Sequence, residues 1–131
     1  MAKRLLYKAY LAGGGYSNWR DQLVTALAPQ LKGYDPFRQS RQTAAWLFVQ
    51  DDLKAVDDAD LVIAYYPGGY PSHGMAAEIG YAAAIGRPVF YVDETDAPDM
   101  FLIGCSKRFF PSLAALTRWW QARQEAGKPI I

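Results

Sequence analysis

Apolar runs of strand length alternate along this chain with longer stretches whose apolar residues recur at helical spacing. Residues 5–12, Leu61–Tyr66 and residues 88–92 are apolar nearly throughout, the pattern of strands buried on both faces. Gly13, Gly14 and Gly15 end the first run in a turn that glycine's φ freedom makes easy. Ser17 or Asn18 then caps a helix expected over about residues 19–31, with Trp19, Leu23, Ala26 and Leu27 on its apolar side and Gly33 as its stop. Residues 34–37 are at best a short strand, because Pro36 cannot donate to a ladder. Residues 43–59 carry Trp46, Val49, Leu53 and Val56 at helical spacing, which predicts one buried stripe with Asp51, Asp52, Asp57 and Asp58 off it.

Pro67-Gly68-Gly69-Tyr70-Pro71 breaks the central run. A helix over about residues 75–85 follows, closed by Gly86 just past its end. A loop holding Pro98 and Gly104 leads to a last helix over about residues 112–125. The alternation predicts one α/β domain over residues 1–131: a flavodoxin- or Rossmann-like three-layer sandwich around a parallel sheet of four or five strands, the fifth near Phe109. In such sheets ligands bind beyond the carboxyl ends of the strands, where strand order reverses. The glycine turn and residues 67–74 are therefore the first places to look for a site.

Composition narrows the function classes. The chain is 51% hydrophobic, which suits a packed globule rather than a disordered segment. Its 14 basic and 13 acidic residues leave a net charge of +1 and no basic block, so nucleic acid is not an expected partner. Lys8 interrupts the first apolar run, which does not read as a signal peptide, and no run approaches the about 20 residues of a membrane span. Cys105 is the only cysteine, in keeping with a soluble protein of the reducing cytoplasm. It reads as structural, and no His/Cys cluster has metal-ligand spacing. No cofactor is expected.

The stretch Ser72-His73-Gly74-Met75-Ala76-Ala77-Glu78 concentrates the candidate chemistry. Gly74, Ala76 and Ala77 let a ligand approach the opening turn of a helix, where free N–H groups and the dipole favour anions. Glu78 within that field is expected to be held ionised, as a nucleophile requires. Spacing alone does not separate that role from ordinary capping electrostatics.

Three segments in order, Tyr10-Leu11-Ala12-Gly13-Gly14, Asp52-Leu53 ahead of Ala59-Asp60-Leu61-Val62-Ile63-Ala64, and Gly74-Met75-Ala76-Ala77-Glu78-Ile79-Gly80-Tyr81-Ala82, resemble the nucleoside 2-deoxyribosyltransferases and the related nucleoside-monophosphate N-glycosidases. The resemblance spans roughly residues 5 to 104. It implies that Glu78 attacks the anomeric carbon to form a covalent glycosyl-enzyme, that Asp52 handles the proton of the departing or incoming base, and that Tyr10 holds the nucleophile. Gly13 and Gly14 then lie near the base. Transfer to another base or hydrolysis by water resolves the intermediate. An ionised Glu78 and a protonated Asp52 are what this division of labour expects. A solvated helix face for Asp52, a core role for Tyr10, and a non-catalytic nucleotide-binding domain are the competing readings.

The resemblance also implies the substrate contacts. Ser72 stands where deoxyribosyltransferases have a sugar-binding aspartate and the monophosphate hydrolases a phosphate-binding serine. Tyr16 stands where those hydrolases have a phosphate-binding arginine, and Arg20, one helical turn later, is a substitute. Asp99 falls near a contact supplied by a neighbouring subunit, which suits a free 5′-hydroxyl better than a phosphate. The balance leans to a nucleoside with a free nucleobase as second substrate, over a nucleotide, in a homodimer or larger ring with shared sites. Trp19 and Phe37 flank the expected pocket mouth as stacking candidates. Trp46, Trp119 and Trp120 read as core, and His73 as incidental.

Overall fold

Strand β3 (Leu61–Tyr66) lies in the middle of the sheet, and its sequence explains why: its first four side chains are all aliphatic. In the computed structural model, which describes residues 6–15 and 17–131, those four are completely buried. β1 (Tyr7–Gly13) pairs on one side of β3 and β4 (Val89–Asp93) on the other. β2 (Leu31–Tyr34) and β5 (Arg108–Phe110) form the edges, so the order is β2-β1-β3-β4-β5 with every pairing parallel. This is the parallel sheet that the alternation predicts, with five strands of the four or five expected.

Side chains alternate across a strand, so each strand supplies two cores. Leu11, Ile63, Phe90 and Val92 pack with Trp19, Leu23 and Leu27 of α1 (Trp19–Leu27) and with Leu116 and Trp120 of α6 (Leu113–Glu125). Tyr10, Ala12, Val62, Ala64 and Tyr91 belong to the opposite core, with Val56 of α3 (Ala45–Asp58), Met75, Ile79 and Ala82 of α4 (His73–Ala84), and Leu102 of α5 (Met100–Gly104). Ala12 and Ala64 are register partners that present only methyl groups, and α4 lies against these two strands. The chain leaves β1 for the edge strand β2 and returns past β1 to β3. The loops after β1 and β3 therefore diverge, opening a crevice where the two suspect loops meet.

Several local expectations are corrected. α1 ends at Leu27, not near residue 31, because the residue before Pro29 is pushed out of the helical region, and Ala28 is extended. Leu31 then opens β2, and Gly33 is a strand residue at a close crossing: a Cβ there would lie 2.6 Å from Leu11 Cδ1 and 2.8 Å from Val24 Cγ2. Residues 36–39 form a one-turn helix α2 (Pro36–Gln39), with Asp35 accepting from the Phe37 N–H as its cap. The stripe on α3 is not buried, since Trp46 and Val49 are 65% and 46% exposed and only Val56 reaches the core. The half of α3 bearing Trp46 and Phe48 flanks the crevice instead of covering the sheet. The loop before Gly104 contains α5, capped by Asp99, which accepts from the Leu102 N–H. The expected strand start at residue 5 lies outside the described residues, as does Tyr16. No described helix is long and apolar enough to cross a membrane.

Gly13 is the turn residue that only glycine tolerates, with φ at 143° and any added Cβ 2.6 Å from the Tyr65 carbonyl oxygen. Gly13→Ala should destabilise the fold by about 1–3 kcal/mol, read as a lower urea midpoint at unchanged slope. An unchanged midpoint would mean that this turn relaxes without strain.

Candidate active site

The crevice holds a cavity of about 300 Å³. Gly13 and Gly14 line it from the end of β1, Pro36 and Phe37 from α2, and Gln42 from the following loop. Phe48 and Asp52 of α3 form another wall, and Ser72, Gly74, Met75 and Glu78 close it from α4 and its cap. Seven of the ten residues singled out in the sequence thus meet at one cavity. Tyr10 stands directly behind it, while Trp19 and Asp99 are elsewhere.

Glu78 is the only acidic residue of α4, and it falls on the helix's buried face with Met75, Ile79 and Ala82. The helix begins where Ser72 Oγ accepts the Met75 N–H at 3.1 Å. Glu78 is therefore in the second turn, beyond the field expected to keep it ionised. Only 8% of it is exposed, and the Tyr10 hydroxyl donates to its Oε2.

Burial dominates its protonation, lifting the carboxyl from its usual 4.5 to about 7. The Tyr10 hydrogen bond opposes that rise, the adjacent Asp52 adds to it, and the charge of Arg20 pulls against it. Asp52 is also raised by burial, but less completely, because Ser40 donates to its Oδ1 at 2.5 Å. Asp52 and Glu78 each act on the other's protonation. Burial thus favours the neutral form of Glu78 as well as of Asp52, against the expectation that Glu78 is held ionised.

Arg20 is not a stand-in phosphate ligand. It is 5% exposed, and its guanidinium donates to the carbonyls of Leu11 (3.0 Å), Gly14 (3.1 Å) and Gly13 (2.7 Å). It also lies 3.8 Å from Asp35. Its charge is spent on holding the glycine turn from behind. Trp19, expected at the pocket mouth, is 1% exposed and packs on Tyr65 with ring centroids 5.1 Å apart, so it is core. Phe37 is 55% exposed and does line the cavity. His73 is exposed and does not line it. Asp99 is exposed at the start of α5.

Three residues near the cavity were not anticipated. Phe48 carries a legible signal, since it precedes Asp52 by four and shares its helix face. Gln42 and Ser40 are loop residues with no such signal. The Gln42 amide nitrogen donates to the carbonyls of Pro36 (2.9 Å) and Ser40 (2.8 Å), leaving its oxygen for other partners.

Because the folded state raises the affinity of Glu78 for its proton, folding favours the neutral form. Below pH 4.5 that form exists folded and unfolded alike, and stability falls as pH rises from 4.5 through about 7. The interval corresponds to on the order of 3 kcal/mol. Glu78→Gln should therefore melt higher than the wild type at pH 8, with the difference vanishing near pH 4. Equal melting at both pH values would remove the buried carboxyl from this account.

The family model described as nucleoside 2-deoxyribosyltransferase matches residues 9–111. No curated protein matches the chain at a significant level. Among solved structures, a conserved protein of Enterococcus faecalis V583 is similar with a TM-score of 0.73 at 20% identity, covering 90% of this chain and 99% of that one. A 2-deoxyribosyltransferase of Bacillus psychrosaccharolyticus gives 0.71 at 17% identity, covering 84% and 90%. A CMP N-glycosidase of Clostridium botulinum gives 0.66 at 19% identity, covering 88% and 98%. At these identities the likeness is one of fold. The family match spans most of the chain and includes the strand, turn and helix that build the crevice, so the protein belongs to the nucleoside 2-deoxyribosyltransferase family, enzymes of N-glycosyl transfer and hydrolysis.

Proposed function

We propose that the protein cleaves and re-forms the N-glycosidic bond of (deoxy)nucleosides, with Glu78 as nucleophile and Asp52 as the acid that protonates the departing base. The observation that carries this reading is the pair of desolvated carboxyl groups in one cavity, one of them fixed by Tyr10. Burial raises both carboxyls, so in this reading the pair carries the proton that the reaction needs. As the glycosidic bond lengthens, positive charge on the sugar draws the anion onto Glu78 and leaves the proton on Asp52. Tyr10 occupies Oε2, so Oε1 is the oxygen available for attack. The C–N bond pair departs with the base as Asp52 protonates it, and the sugar is held as an ester of Glu78. An incoming base reverses these steps, returning the proton to Asp52.

A nucleoside fits the cavity better than a nucleotide. None of the described residues that line it is basic, and Arg20 is committed to the glycine turn. The exposed rings of Phe37 and Phe48 suit the π-face of a base. Ser72 at the N-terminus of the 12-residue α4 favours the second reading, hydrolysis of a nucleoside 5′-monophosphate. Asp99, exposed beside Met100 and Phe101, remains our candidate for completing the site of a second subunit in a homodimer.

The decisive experiment incubates the protein with deoxynucleosides and monophosphates plus free adenine or cytosine, and follows base release and exchange by chromatography. Formation of a new nucleoside is expected; free base and sugar alone would replace transfer by hydrolysis. Glu78→Gln should lose about a thousandfold or more in kcat, and Asp52→Asn about 10²- to 10⁴-fold. No turnover across the panel would overturn the proposal. The rate at low substrate, kcat/KM, should fall above about pH 7, where the pair loses its last proton. A rate that stays level to pH 9 would contradict a shared-proton pair.

A further inference from the structure

We propose that Ser40, itself anchored by Tyr34, is a positioning residue: its hydroxyl holds Oδ1 of Asp52 so that Oδ2 carries the transferable proton. The inference rests on the reading of Asp52 as the acid of the proposed reaction and goes beyond it to a residue in no recognised motif of the sequence. Ser40 is 5% exposed, and its Oγ lies 2.5 Å from Asp52 Oδ1 and 2.8 Å from the Tyr34 hydroxyl. A serine has one hydroxyl proton. With that proton given to Asp52, Tyr34 must be the donor to Ser40, and the chain runs one way, from Tyr34 through Ser40 to Asp52.

The backbone fixes this arrangement from both sides. Ser40 ends α2 with its N–H donated to the Pro36 carbonyl at 3.2 Å, and its own carbonyl accepts from Gln42 at 2.8 Å. Tyr34 and Tyr10 are register partners on adjacent strands, and their rings stack with centroids 5.6 Å apart at 23°. Each acid is thus held from the same stacked pair: Tyr10 holds Glu78 directly, and Tyr34 holds Asp52 through Ser40.

The chemistry gives this bond a purpose. When Asp52 passes its proton to a ring nitrogen of the leaving base, negative charge appears on its carboxyl group. A hydroxyl already aimed at Oδ1 stabilises that charge without reorganisation, and hydrogen bonds to ions are stronger than neutral ones. The groups acting on Asp52 are Tyr10 from β1, Glu78 from α4, Ser40 from the α2 end, and Asp51 of its own helix, which is paired with Arg41 at 2.8 Å. Ser40 is the strongest of those favouring the ionised form.

Ser40→Ala should lower kcat about ten- to a hundredfold with little change in KM, and move the acidic limb of the rate profile to higher pH. The deficit should shrink for a deoxyriboside whose leaving group departs as a stable anion and needs no proton. Tyr34→Phe, which leaves the Ser40 hydroxyl in place, should show a smaller deficit, and Ser40→Thr should recover most of the rate. Independently of turnover, a ¹³C carboxyl titration of Asp52 should move upward in Ser40→Ala. Unchanged kcat and acidic limb in an active enzyme, an equal deficit for every leaving group, or an unmoved Asp52 titration would each overturn the role of Ser40. Absence of turnover in the wild type would instead defeat the proposed function, while the titration still decides whether Ser40 governs Asp52.

Discussion

Glu78 is an ionisable group buried beside another ionisable group of the same sign, and the architecture around the crevice follows from holding that pair in place. Among the described residues neither carboxyl forms an ion pair. Two desolvated carboxylates in one cavity would repel strongly, which favours protonation of the pair and hydroxyl donors around it. Tyr10 and Ser40 supply those donors. Arg20 lowers Glu78 through its field, while its guanidinium donates to the carbonyls of Leu11, Gly13 and Gly14. A salt bridge to either acid would have fixed it as an anion and removed the mobile proton.

The sheet converts this requirement into backbone geometry. Tyr10 and Tyr34 project to one face because they are register partners, and that face is the one against which α4 packs. Two positions further along β1, Ala12 presents only a methyl group beside Ala64. Large side chains there would lift α4 and carry Glu78 away from Tyr10. The change of direction between β1 and β3 opens the space above, and the Arg20 clamp keeps Gly13 and Gly14 at its rim. Scaffold and site are the same set of contacts at this end of the molecule.

Much of this was legible in the residues, for identifiable reasons. The aliphatic run of β3 and the Gly86 stop are local signals that tertiary structure did not override. Glu78 stood out through the segment Gly74-Met75-Ala76-Ala77-Glu78, whose small residues and family resemblance marked it, although the helix-start field expected to ionise it does not reach its turn. The errors also share a cause, since periodicity reports that a helix has an apolar side without saying what covers it. Trp46 and Val49 satisfy the spacing yet are exposed, while Trp19, assigned to the pocket mouth, is core. Gly33 resembles a helix stop, but Pro29 ends the helix several residues earlier. Ser40 and Gln42 act through loop geometry, which leaves no period in a sequence.

A shared proton suits reversible group transfer better than one strongly shifted acid would. In the proposed reaction, cleavage asks Asp52 to release a proton and re-formation of the bond asks the same carboxyl to take one back, so neither protonation state should be favoured heavily. Burial raises Asp52 while hydroxyl donors restrain it, and Glu78 lies close to neutrality for the same kind of reason. Balance is achieved by opposing terms instead of by exposure to water, which would lower both groups and allow the ester to be hydrolysed. On this reasoning the choice between transfer and hydrolysis rests less on the two acids than on how fully a base, held against Phe37 and Phe48, keeps water from the cavity.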